Sequence, residues 1–149
     1  MARSPLFGRR VHISGSISVD PAVASAADVQ SARQLVGELV AKLIELGATF
    51  VLPVDAEKPR PSDGLPICFD WLIWQTINAN LAKRPYGAPD PLAVAVEHHK
   101  NEDHVPEAFQ SLWDGLRGTE RVQIENVSHL NMNGKRLENQ GRWGDILIT

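Results

Sequence analysis

The chain has 149 residues, 43% hydrophobic and 22% charged, the composition of one globular domain and not of a disordered segment. Fifteen Lys and Arg against 18 Asp and Glu give a net charge of −3, which excludes the basic footprint of a sequence-independent nucleic-acid binder but leaves room for one local anion site. The one cysteine, Cys68, excludes an internal disulfide framework, and no apolar run approaches the ~20 residues of a membrane span.

With no apolar segment behind the basic N-terminus, the expectation is a cytoplasmic protein without a membrane partner. The first strand-like run is Val11-His12-Ile13-Ser14-Gly15-Ser16-Ile17. A helix is expected over Asp28–Leu46, with Leu35, Leu39, Leu43 and Leu46 as one stripe and Val36, Val40 and Ile44 beside it. Ser25 with Asp28 reads as a capping box, and Gly47 as the stop. Thr49–Pro53 is the second strand, and Ala56–Pro66 is a loop with three prolines and an Asp63-Gly64 turn.

A second helix is expected over Phe69–Leu81, with Phe69, Ile73, Ile77 and Leu81 at spacing four. The apolar run Leu92–Val96 suits a parallel strand covered on both faces. A third helix over Val105–Leu116 has Pro106 in its first turn and Gly118 at its end. Val122–Val127 and Asp145–Thr149 are the remaining strands, and Asn131–Gly141 holds at most a short helix. This order, β-α-β-α-β-α-β-(α)-β, predicts a doubly wound, mostly parallel five-stranded Rossmann-like sheet in a three-layer α/β/α arrangement.

Such sheets bind ligands at the carboxyl ends of their strands, here Ser14–Ser18, Pro53–Asp55, Glu97–His99, Asn126–His129 and Thr149. Ser14, Gly15, Ser16, Ile17 and Ser18 could hold a phosphate through backbone N–H groups and hydroxyls; the plain alternative is a βα turn capped by serines. Trp71, Trp74 and Asn78 fall away from the Phe69/Ile73/Ile77 stripe. An exposed aromatic pair there would stack on a base or a partner surface, unless Trp74 closes a second layer of core. Asp70 favours the positive end of the second helix.

Glu97, His98 and His99 are expected just past the third strand, where Glu97 could take ribose hydroxyls or stabilise an oxocarbenium-like centre. With Glu102 and His104 the group is more readily a solvated loop than a metal site. Cys68 sits at a helix start, where the dipole would lower its pKa, though a small buried residue is the plainer reading. Arg9, Arg10, Lys58, Arg60, Lys83 and Arg84 could assist an anion, and most are expected to be surface.

Several of these segments resemble a known family. The run Val11–Ile17, the long helix ending Glu45-Leu46-Gly47-Ala48, and Phe50-Val51-Leu52-Pro53 look like the start of a SLOG domain, related to the LOG phosphoribohydrolases and to DprA. Arg142–Thr149 is similar to the strand that leads into a Gly-Gly phosphate loop in that family. Since that loop is not in the chain, the expectation is a single domain over 1–149, truncated at its C-terminus. The nearest group is the STALD type, associated with sirtuin-like and TIR domains. That resemblance implies binding of a nucleotide or NAD-derived ligand of the ADP-ribose type, as a signal in bacterial antiphage defence. Ser14, Gly15 and Ser16 match the family's first-strand loop. A TIR domain is the competing resemblance, because it also opens with a strand ending in Ile-Ser-x-Ser.

Three functions are therefore carried forward. The first is a nucleotide sensor acting through a homo-oligomer or an associated effector, its ligand on Ser14–Ser18, Pro53, Asp70, Trp71, Trp74, Glu97 and His98. The second is an N-glycosidic hydrolase of a nucleotide or NAD, with Glu97 as the catalytic carboxylate. The third is an interaction domain that buries the Trp71/Trp74 face.

Overall fold

Short-range signals set the ends of most elements. The computed structural model describes residues 4–83, 91–98, 105–127 and 146–148. In chain order the elements are β1 (Arg10–Ile13), α1 (Ala26–Glu45), β2 (Thr49–Pro53), α2 (Asp70–Ala79), a 3-10 turn (Leu81–Lys83), β3 (Ala93–His98), α3 (Glu107–Arg117), β4 (Val122–Val127) and β5 (Ile146–Ile148). The expected region 131–141 lies outside the described residues.

The N-terminus of α1 is closed by both halves of a capping box. The Ser25 hydroxyl accepts from the Asp28 N–H at 3.2 Å, and the Asp28 carboxylate accepts from the Ser25 N–H at 2.9 Å. Gly47 follows the helix at φ +94°, and a Cβ there would stand 2.8 Å from the Ser4 side chain. The buried face of α1 is centred on Val29, Val40 and Ile44, with Val36, Leu39 and Leu43 half-buried beside it. Leu35 does not belong to that face; it is 66% exposed. The β-branched row points at the sheet, and the expected leucine stripe is only its flank.

Strands β1 to β4 are laid down side by side in one direction, all parallel, and β5 pairs with the other edge of β1. With right-handed crossovers this direction of travel puts α1, α2 and α3 on one face of the sheet. The core agrees. Val11, Ile13, Phe50, Leu52, Ala93, Ala95 and Val122 from alternate strand positions pack with Val40, Ile44, Ile73, Ile77 and Leu116 from the three helices. Residues of the opposite face, His12, Thr49, Val51 and Val94, are buried as well. His12 donates from Nδ1 to the Val51 carbonyl at 3.0 Å, across to the neighbouring strand.

Two expectations about α2 and β3 are corrected. Trp71 and Trp74 are not an exposed pair; they are 1% and 0% exposed. The reason is position. α2 is the middle helix of three and is covered on its flanks as well as beneath. Trp71 stacks on Phe109 of α3, ring centroids 5.2 Å apart, and Trp74 meets Trp113 of α3 edge-on at 5.4 Å. Glu97 and His98 do not follow β3 as a loop. They are its last two positions, paired with Asn126 and Val127 of β4. Among the described residues no helix is long and apolar enough to cross a membrane.

The rotation of α1 is testable by paired truncations. Ile44→Ala should destabilise the domain by about 2–5 kcal/mol, whereas Leu35→Ala should stay within about 0.5 kcal/mol of wild type in urea unfolding.

Candidate functional site

The point where strand order reverses lies between β1 and β5, since β1 has β2 on one side and β5 on the other. The carboxyl edge at such a reversal is where open α/β sheets form a crevice. The turn after β1 is tied down there. The Ser14 N–H donates to the Ile148 carbonyl of β5 at 2.8 Å, and the Ile17 N–H donates to the Ile67 carbonyl at 2.8 Å. Ser16 and Cys68 form an isolated antiparallel bridge. Ser14, Gly15 and Ser16 remain exposed, and Ile17 and Ser18 are half-buried. The turn is thus a fixed ridge with its tip in solvent. Gly15 faces Phe69, but an added Cβ would stand 3.9 Å from that ring, an ordinary contact.

The end of β2 is clamped from below by the two tryptophans. Trp74 donates its indole N–H to the Pro53 carbonyl at 3.0 Å, and Trp71 donates to the Asp55 carbonyl at 2.8 Å. These side chains position residues 53–55. Pro53 is half-buried and Asp55 exposed. Because Pro53 pairs with Val96 of β3, Glu97 and His98 lie at the same carboxyl edge, one strand further from β1. His99, Glu102, His104 and Thr149 lie outside the described residues.

Between the β1 turn and the start of α2 is a group of titratable side chains that no local spacing announces. Asp70 is the first residue of α2. Burial pushes its carboxyl up to about 6; the charge of Asp55 adds to the rise, and His12 opposes it. Burial also pushes up the carboxyl of Glu57, with Arg33 opposing and Asp70 adding. Its Oε1 is buried with no hydrogen-bond partner. The Cys68 thiol is raised too, first by burial and then by Asp70, Glu57 and Asp55. The helix-start argument for a lowered thiol pKa therefore fails, because burial, with three carboxylates adding to it, outweighs the dipole. Arg33 reaches in from α1 and donates to the Cys68 carbonyl at 3.4 Å.

Glu57, His12 and Arg33 are absent from the sequence-based site. They come from a loop, a strand and a helix, and meet only in the folded chain. Asp55-x-Glu57, beginning two residues after the β2 proline, was their one local sign. Of the six basic residues considered for an anion, most of them expected at the surface, Arg60 is fully buried. Among the described residues no group of three or more His, Cys, Asp or Glu is placed to hold a metal ion.

A family model described as "ATP nucleosidase Cap17-like, N-terminal" matches residues 6–149. The chain belongs to this family. Comparison with curated proteins and with solved structures gave no match. The Cap17-like N-terminal family is nucleotide-related by its description, in keeping with the nucleotide-related α/β domain that the SLOG resemblance implies.

In this Cap17-like domain Asp70 makes stability depend on pH. Its folded carboxyl, at about 6, lies above the ordinary 3.8, so the folded state holds the proton more tightly. Stability should be highest below pH ~4, fall as pH rises towards ~6, and stay low above. Asp70→Asn should remove that slope and stabilise the protein at pH 7 by about 1–3 kcal/mol. Urea midpoints between pH 4 and 8 check both.

Proposed function

We propose that the chain is a nucleotide-binding domain whose ligand lies along the carboxyl edge of β1, β2 and β3. The observation that carries this reading is the exposed Ser14-Gly15-Ser16 turn at the reversal of strand order. Phosphates would sit against the turn, from Ser14 to Ser18, where backbone N–H groups and hydroxyls are donors. The ribose would lie towards Asp55, Asp70, Glu97 and His98, whose oxygens and nitrogens suit hydroxyl groups. The buried, unpartnered Oε1 of Glu57 supports a donor-bearing ligand on that side.

The family's description makes ATP the first ligand to try. The SLOG and STALD resemblance adds NAD, ADP-ribose and its cyclic isomers, as a signal in antiphage defence. In this reading the sheet is five-stranded and three-layered, the domain is cytoplasmic, and ligand binding acts on an oligomer or an associated effector. Such an effect needs unequal affinity for two states.

Thermal unfolding with ATP, AMP, NAD, ADP-ribose and cyclic ADP-ribose is the test. A ligand at about 100 times its Kd adds about 2.7 kcal/mol, a shift of several degrees at this size. No shift with any of the five would sink the reading. Gly15→Ala separates site from scaffold, because its Cβ has ordinary space. It should unfold within about 2 °C of wild type, yet weaken nucleotide binding about tenfold as the methyl blocks the close approach of a phosphate.

A second reading is hydrolysis of the N-glycosidic bond of the bound nucleotide, and Asp70 favours it. A carboxyl at about 6 is still partly protonated near neutral pH and can pass its proton to the departing base. As the bond from the ribose carbon to the base breaks, a carboxylate such as Glu97 stabilises the positive charge on that carbon; water then adds to it and gives its proton to the Asp70 carboxylate, which restores the acid. Free adenine from ATP, followed by chromatography, should appear at a rate that falls as pH rises through ~6. It should be lost in Asp70→Asn. Unchanged adenine release by that variant rules out this role for Asp70.

A further inference from the structure

We propose that Arg60 is a positioning residue, which holds the segment from the Ser14–Ser18 turn to the start of α1 in the shape that a nucleotide phosphate meets. The proposal rests on the nucleotide-binding reading above and names a part that never touches the ligand, since Arg60 is fully buried.

The loop after β2 is built to present this side chain. Pro59 and Pro66 bridge its two ends. The Arg60 N–H donates to the Leu65 carbonyl at 2.8 Å, and the Gly64 N–H donates back to the Arg60 carbonyl at 2.7 Å. Gly64 closes the turn at φ +72°, a backbone region that favours glycine. The result is a stiff small hairpin, and Arg60 is directed inward from its base.

All three guanidinium nitrogens are committed. Nε donates to Asp63 Oδ1 at 2.9 Å, and Nη2 donates to Asp63 Oδ2. Nη1 donates to the Ala24 carbonyl at 2.6 Å and to the Ser18 carbonyl at 3.3 Å. Arg60 in turn holds the Asp63 carboxyl down at about 2, while Asp20 adds a further favourable charge for the guanidinium. A buried charge is tolerated only when satisfied in this way.

The far partners of Arg60 decide what it does. Ser18–Ala24 runs from the phosphate-facing turn to Ser25, the cap of α1. Its own hydrogen bonds are local: the Asp20 N–H to Ser18 Oγ, the Ala22 N–H to the Asp20 carboxylate, and the Val23 and Ala24 N–H groups to the Asp20 carbonyl. Among the described residues, the side-chain bonds reaching this segment from beyond α1 come from Arg60. Just before it, Ile17 is bonded to Ile67 and Ser16 bridges Cys68. The two loops are thus laced at two points, and Arg60 is the lace nearer α1. Without it the turn keeps its ties at Ser14 to β5 and at Ser16 and Ile17 to residues 67 and 68, and the stretch from Ser18 to Ala24 loses its tie to the loop after β2.

The test compares wild type, Arg60→Met, Arg60→Lys and Asp63→Asn by titration calorimetry with ATP and with adenosine, which lacks the phosphates. For Arg60→Met we expect the ATP Kd to rise at least tenfold and the adenosine Kd to stay within twofold. Arg60→Lys, which keeps one donor for Ala24, should recover part of the loss. Amide exchange at Val23 and Ala24 should quicken in Arg60→Met, while amides of β2 and β3 stay protected. If Arg60→Met does not fold, Asp63→Asn, which keeps the guanidinium, gives the same comparison with a smaller rise. Unchanged ATP affinity, or equal loss for ATP and adenosine, overturns the proposal. Wild type that binds neither ATP nor the other four nucleotides overturns the binding reading itself, before Arg60 is reached.

Discussion

Two indole N–H groups hold the centre of this structure together. Trp74 donates to the carbonyl of Pro53 and Trp71 to that of Asp55, so the middle helix grips the end of a central strand where the chain leaves the sheet. Both rings lie under α3, against Phe109 and Trp113. Burying such large side chains supplies much of the apolar packing on this face, and the N–H groups give that packing a fixed register. A phenylalanine would fill the same space without naming the carbonyl it belongs to.

From that grip the candidate site follows. Residues 53–55 are held at the carboxyl edge of a strand that pairs with β1, and the start of α2 is brought to the same edge. This carries Asp70 into a half-buried place beside Asp55 and within reach of the charge of His12. Burial raises the Asp70 and Glu57 carboxyls, and the charge of Asp55 adds to the first as that of Asp70 adds to the second. The arrangement opposes folding slightly at neutral pH. Carboxyl groups perturbed in this way cluster at sites that bind ligands or transfer protons. Arg60 shows the opposite balance: its charge is buried, but every nitrogen has an acceptor.

Much of the fold was legible in the residues. The capping box at Ser25 and Asp28, the stop at Gly47, the apolar run before Val96 and the span of β4 were all readable, because each rests on neighbours in sequence. The Ser14–Ser18 turn was readable as a strand end for the same reason. The face of α1 was half legible: two adjacent apolar rows fit a helix equally well, and only the sheet chooses the β-branched one. The tryptophans were misplaced because a helix between two others is covered over more than one stripe, which periodicity alone does not show. Glu97 and His98 were placed one step too late because β3 continues as far as its pairing with β4 allows.

What the sequence by itself determined, then, is the alternation of strands and helices, their caps and stops, and the class of sheet. These depend on hydrogen bonds and apolar spacing within a few residues. Only the tertiary structure decided that Trp71 and Trp74 are clamps, that Arg60 is interior, that the Cys68 thiol is raised, and that Glu57, Asp70, His12 and Arg33 share one electrostatic neighbourhood. Each of these depends on which distant backbone or charge lies within a few ångströms, and strand order sets that distance.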